Sequence, residues 1–270
     1  KKMEDTLEGW KFGGGGLLTL SQAAFVNWAP GGTNSIALLF KANFFGDYKK
    51  GKHLFQSRLN AEYGISFLQD IPNSKKFTPT KNADQWEIFA KYGYKVYKPL
   101  YIAGYANLKS QFSNTYTKGV VSGKRDSVIS TIGSPLVFEG AIGLDYVPNS
   151  KFSLFFSPLA AKVTYVGNNQ IALAEVYGNN FPNHYKGEFG AVLIASYKQS
   201  FWKDRITISS IFKAYKNYLR SNIDPNDKTI SETKVNYRKN IDVDWQTTIG
   251  FNVNKYLSAS IYTQLIWDND

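Results

Sequence analysis

Cysteine is absent from this 270-residue chain, methionine occurs once and histidine twice. Without thiols there is no disulfide framework, no thiolate metal site and no cysteine nucleophile, although an oxidising compartment stays open because it does not oblige a protein to use disulfides. His53 and His184 are too few for a histidine-rich cluster and neither stands in an HExxH spacing, so no metal and no cofactor are expected. No apolar run reaches the roughly 18 residues of a transmembrane helix, and KKMEDTLEGW does not read as a signal peptide. Neither absence excludes a membrane, because outer-membrane barrels cross with short alternating strands and mature ones have lost their signal.

What is abundant is aromatic. The chain carries 19 Phe, 18 Tyr and 6 Trp, 16% of its residues, together with 22 Gly. Flat, bulky side chains suit a pleated surface and glycine suits tight bends, so the class expected is all-β. The formal charge of +11 admits nucleic acid, anionic lipid or an acidic partner, and its distribution must choose among them.

Two segments alternate cleanly. In FQSRLNAEYGISF, Phe55, Leu59, Ala61, Tyr63, Ile65 and Phe67 share one face while Gln56, Arg58, Asn60, Glu62 and Ser66 share the other. In IDVDWQTTIGFNV, Ile241, Val243, Trp245, Ile249, Phe251 and Val253 oppose Asp242, Asp244, Gln246, Thr248 and Asn252. Softer alternation marks Trp86 to Val96, Leu100 to Phe112, Phe138 to Tyr146, Phe189 to Tyr197, Ile206 to Tyr218 and Leu257 to Trp267; Leu17 to Phe25 and Ile36 to Phe45 complete the set with Phe152 to Val166, where Pro158 implies a bulge or a local break.

A soluble sandwich also alternates, so the connections decide. Long ones at Leu68 to Gln85, Ser113 to Leu136, Gly167 to Lys186 and Arg220 to Asn240 take turns with short ones near Asp47 to Lys52, Lys98 to Leu100, Val147 to Lys151, Trp202 to Arg205 and Asn254 to Leu257. That asymmetry belongs to an up-and-down outer-membrane barrel, with short periplasmic turns and long outer loops. Trp86, Tyr97, Tyr101, Trp202, Tyr256 and Trp267 stand at strand ends, where an aromatic girdle meets the headgroups. The expectation is a single domain over residues 1–270, an antiparallel up-and-down transmembrane β-barrel. Bacterial barrels have even strand numbers, so a final strand beyond LIWDND is expected to close about twelve; the alternative is a miscounted strand near Ile171 to Val176.

The inward positions would carry Arg58, Lys91, Lys95, Lys109, Lys198 and Lys213 against Glu62, Glu87, Glu139, Asp145, Glu188, Asp242 and Asp244. Near-balance of sign favours a salt-bridged, occluded interior over a selective pore with rings of one sign. The remaining basic excess, in DYKKGK, KVYK, NSK and FWKDR at the short turns and in further lysines of the long loops, would touch phospholipid headgroups at the short-turn rim and lipopolysaccharide phosphates at the other. Spread around rims, it does not make the one-sided stripe that nucleic acid needs. Catalysis is not expected: His184 ends a loop with no GxSxG elbow, and Asp242 and Asp244, two apart on one strand, read as a lumen ladder before a carboxylate pair.

SQAAFVNWAPGGTNS could be a phosphate loop only if a helix followed, but IALLFKANFFGDYKK reads as a strand. Its Pro-Gly-Gly is then a hairpin tip, with Trp28 as anchor or docking point. The stretch from Trp10 through Gly13 to Gly16 and on into LSQAAFVNWAPGGTNS resembles the N-terminal signature of a family of Bacteroidota outer-membrane β-barrels of unknown function, with Gln22, Asn27, Trp28, Gly31, Gly32 and Asn34 the most specific residues. KYGYKVYKPLYIAGYANLKSQF, FSPLAAKVTYV and IDVDWQTTIGFNVNKYLSASIYTQLIWDND are similar to later parts of it. The resemblance implies an outer-membrane location and a barrel with one further strand, and no activity. The function expected is a non-enzymatic accessory subunit of an outer-membrane assembly, with other outer-membrane proteins as partners; the alternative is a small-solute diffusion pore.

Overall fold

The computed structural model describes residues 8–25, 34–69, 77–116, 128–218, 241–254 and 257–267. In chain order the elements are β1 (Gly9–Ala23), β2 (Ser35–Lys50), β3 (His53–Gln69), β4 (Phe77–Tyr97), β5 (Leu100–Ser110), β6 (Thr115–Tyr116), β7 (Val128–Ser130), β8 (Leu136–Asn149), β9 (Phe152–Tyr165), α1 (Asn169–Leu173), β10 (Tyr185–Phe201), β11 (Ile206–Asn217), β12 (Asp242–Asn252) and β13 (Ser258–Trp267). Eleven strands make one sheet in the order β1-β2-β3-β4-β5-β8-β9-β10-β11-β12-β13, and β6 with β7 makes a separate two-stranded one. Every neighbour in the large sheet pairs antiparallel. The fold is therefore all-β and up-and-down, a meander rather than the two stacked layers of a sandwich. Closure is not seen: β1 and β13 are edges that do not pair with each other.

Opposed residues share a face of a sheet, so the ladders assign sides. The run Asn60↔Glu87, Glu87↔Lys109, Lys91↔Tyr105, Glu139↔Lys162 and Lys213↔Asp244 lies on one side. The other carries Phe12, Leu18, Phe40, Phe44, Ile88, Ile142, Leu159 and Ile261, all exposed. The first face curls inward. Glu139 on β8 bonds Lys213 on β11 at 2.6 Å although β9 and β10 lie between them, and strands spaced about 4.8 Å apart would hold those groups too far apart on a flat sheet.

Two local features depart from plain alternation. Ile142 and Leu144 oppose Leu159 and Phe156, so β9 has one residue more than its partner at Ser157 and Pro158. The bulge expected from Pro158 is there, with Ser157 Oγ donating to the Ile142 carbonyl at 2.7 Å and receiving the Leu159 N–H at 3.0 Å. After it the inward phase moves from Phe155 to Ala160 and Lys162. The second feature is β1, which starts at Gly9 rather than Leu17. Its glycines admit the rings of β2: a Cβ on Gly13 would stand 2.5 Å from the Phe45 ring, and one on Gly14 would stand 2.5 Å from both the Asn43 carbonyl oxygen and the Phe44 ring.

The connection after β9 holds the short helix α1, capped by Asn168 Oδ1 on the Gln170 and Ile171 N–H groups. Ile171 to Val176, the alternative site of a miscounted strand, is helix and turn instead. Val166, Ile171 and Ala172 form a small core of their own with Val128 and Tyr177.

Candidate functional site

The inner face is built as a buried aromatic and aliphatic belt bordered by ion pairs. Phe155 on β9, Val192 on β10 and Ala103 on β5 are 3%, 1% and 2% exposed. They cluster with Tyr105, Ala141, Ala160 and Tyr215, against which Phe89 and Ile194 pack. The rings interlock across strands: Tyr105 meets Phe89 at 5.9 Å and Phe155 edge-on at 5.5 Å. Alanine on β5, β8 and β9 gives these rings their room.

Charge surrounds this belt. Lys91 on β4 reaches over β5 to Asp145 on β8 at 2.5 Å and passes 5.3 Å from the Phe155 ring. Lys213 and Glu139 pair at 2.6 Å, and Glu188 lies 3.4 Å from both Lys162 and Lys186. Toward the β2 side, Glu87 accepts from Asn107 at 2.8 Å and from Asn60 at 3.1 Å, Lys41 pairs with Glu62 at 2.7 Å, and Arg58 forks onto Asp47 while lying 5.3 Å from the Phe45 ring. Asp244 accepts from Gln246 and Gln264 at 3.0 Å each. A cavity of ≈ 240 Å³ opens among Tyr105, Lys109, Glu139, Lys213, Tyr215 and Asp244. Among the described residues no group of His, Asp and Glu is arranged to hold a metal.

The thirteen charged residues expected inside thus fall on one face of the sheet. Lys95 opposes Tyr101, Lys198 opposes Ser209 and Asp242 opposes Tyr215, which places these three there as well. Sequence reasoning missed Asp47, Lys41, Lys162 and Lys186 as partners, and missed the aromatic belt. Lys162 was hidden by the phase change at Pro158. The belt residues alternate with alanine and glycine, which looks like a weak strand until the rings are seen to meet across it.

Of the girdle residues, Trp86 faces outward and donates its indole N–H to the Gln111 carbonyl at 3.2 Å. Tyr97, Trp202 and Trp267 are exposed. Tyr101 is a correction: it opposes Lys95, on the inner face, because Ile102 takes the outward place beside it. Tyr256 lies outside the described residues. So do Asn27, Trp28, Gly31 and Gly32 of the loop tip; of that signature, Gln22 opposes Ile36 at the end of β1 and Asn34 Oδ1 accepts the Phe25 N–H at 2.5 Å.

Beyond Trp86, on the part of β4 nearest the long connections, Asp84 accepts from the N–H of Phe112 at 2.7 Å and of Ser113 at 3.2 Å, and from Ser113 Oγ at 3.0 Å. Lys81 pairs with it and donates to the Ser113 and Asn114 carbonyls. Burial alone would raise this carboxyl, but Lys81 and the three donors outweigh burial and hold it below its ordinary value. The clamp fastens the exit of β5.

The histidines lie apart. His53 Nδ1 meets the Tyr92 hydroxyl at 2.7 Å by a short turn, and His184 Nδ1 meets the Val166 carbonyl at 2.5 Å beside a long connection. The model of a protein family of unknown function, DUF3078, matches residues 20–116, the stretch holding β2 to β5 and the first short turns. None of the curated proteins matches the chain.

Proposed function

We propose that the chain is an integral outer-membrane β-barrel without enzymatic activity, serving as a structural or accessory subunit of a larger outer-membrane assembly. The observation that carries this reading is the inversion of sides: large apolar residues are exposed on one face while charges and a buried aromatic belt fill the other. Water would penalise that outer face heavily; lipid does not. With eleven strands alternating in direction, β1 and β13 run the same way, so a twelfth antiparallel strand between them would satisfy both edges and close the barrel.

A filled interior supports a scaffold over a conduit. Support for a partner comes from the long-connection end, where the Val166, Ile171 and Ala172 core holds a shaped surface and leaves Leu173, Val176 and Phe181 exposed at 64%, 59% and 46%. Partners in this reading are membrane lipid, lipopolysaccharide and other outer-membrane proteins. The second reading, a small-solute pore, is favoured by the ≈ 240 Å³ charged cavity, which is below the roughly 300–1,000 Å³ of common ligand sites. Purified protein in planar bilayers decides: no single-channel steps, with a stable partner co-purifying in mild detergent, is expected for the subunit, and regular steps overturn it.

A further inference from the structure

We propose that the short-turn rim of the sheet is a docking surface for the headgroups of anionic phospholipid; this rests on the membrane reading above. The rim is continuous. Each of the first four short turns is bonded to the next strand along the sheet: the Lys52 carbonyl accepts from Lys95 N–H, that of Pro99 from Val147, that of Lys151 from Lys198 and that of Arg205 from Asn252, at 2.8, 2.8, 2.8 and 2.7 Å.

Its charge is one-sided. Lys50 and Lys52 stand at the first turn, Lys98 at the second, Lys151 at the third, Lys203 and Arg205 at the fourth. Among the described residues the carboxylates there are Glu8, whose Oε1 accepts the Gly51 N–H at 3.1 Å, Asp204, and Asp47, which is paired with Arg58. At the opposite end signs are mixed, Lys81 lying on Asp84 and Lys186 beside Glu188.

The rim meets aromatic side chains of the outer wall, which selects lipid over a soluble acidic protein. Lys52 Nζ lies 5.8 Å from the centre of the Tyr94 ring, His53 packs edge-on to the same ring at 5.3 Å, and Tyr92 and Tyr94 both face outward. Aromatics at the interface with cations just beyond them match an apolar layer ending in phosphates. The fourth turn is built to the same purpose. Trp202, Lys203 and Asp204 hold φ of 52°, 56° and 64°, a left-handed run that L-residues disfavour. Asn252 secures it through its side-chain N–H to the Asp204 carbonyl at 2.9 Å, and Trp202 is left 76% exposed.

The test uses the full chain in nanodiscs of phosphatidylcholine alone or mixed with phosphatidylglycerol, followed by native mass spectrometry of retained lipid. Phosphatidylglycerol is expected to be retained preferentially and less so at high salt, with Lys52→Gln, Lys98→Gln and Lys203→Gln each lowering the preference about fivefold, as for about 1 kcal/mol per surface cation. Lys41→Gln, on the inner face away from either rim, is expected to change nothing. Equal retention of both lipids, or a triple variant that keeps the preference, overturns the inference while leaving the barrel intact. Equal retention together with salt-sensitive binding of polyglutamate in detergent reassigns the rim to an acidic protein. Failure to enter nanodiscs of either composition overturns the membrane reading, and this inference with it.

Discussion

The middle of the sheet and its two edges share one ladder pattern and differ in almost everything else. Across β5, β8, β9, β10 and β11 the inner face holds a buried core, with Phe155 and Val192 nearly inaccessible. Along β13 every residue is exposed, and along β1 most are. Hydrogen bonding cannot account for this, because all eleven strands are paired. Curvature does. Where the sheet curls, side chains from strands two or three apart meet, as Tyr105 does with Phe155 and Lys213 with Glu139. At the edges, among the described residues, no strand lies on the far side to complete the enclosure.

The contrast can be broken most severely at its centre. Lys91→Met leaves Asp145, 5% exposed, as an unpaired buried carboxylate and is expected to destabilise by about 3–5 kcal/mol in urea titrations followed by tryptophan fluorescence. Adding Asp145→Leu to that variant should recover most of the loss; if it does not, the pair is not the cause. Phe155→Ala is expected to cost about 3–5 kcal/mol, whereas Leu265→Ala on β13 should stay within about 0.5 kcal/mol. Equal effects at the two sites would erase the difference between middle and edge.

Finer tests lie within the edge and at its border. Gly14→Ala forces a Cβ against the Asn43 carbonyl, while Gly15 has nothing within 4 Å; the first should lose about 1–3 kcal/mol and the second next to nothing, by heat-modified gel mobility. The Asp84 clamp adds a pH dependence. Its carboxyl is lowered in the folded chain from an ordinary value of 3.8, so its contribution is complete above that value and lost as pH falls through the lowered one. Asp84→Asn should speed amide exchange at Phe112 and Ser113 about tenfold at neutral pH, the equivalent of ~1.4 kcal/mol. Smallest is the exposed pair Lys41–Glu62, both 42% exposed: Lys41→Ala should cost no more than about 1 kcal/mol.

Much of this was legible from residue order. The eleven strands, their order implied by alternating short and long connections, the bulge at Pro158 and the common face of Arg58, Glu87, Glu139 and Asp244 all follow from period-two alternation and turn chemistry. The extension of β1 to Gly9 was not legible, because a run of Gly13 to Gly16 carries no side chains to alternate and is explained only by the rings of Phe44 and Phe45 opposite. Tyr101 was misplaced because a tyrosine near a strand end fits either face, and only its pairing with Lys95 assigns one.

Residue order by itself determined the class, the meander and the separation of a greasy face from a charged one, since those depend on local periodicity and on turns a few residues long. Which charge meets which, and the aromatic belt between them, were decided by tertiary structure alone. Glu139 and Lys213 stand 74 residues apart in the chain, and no local pattern encodes the curvature that carries β11 back toward β8.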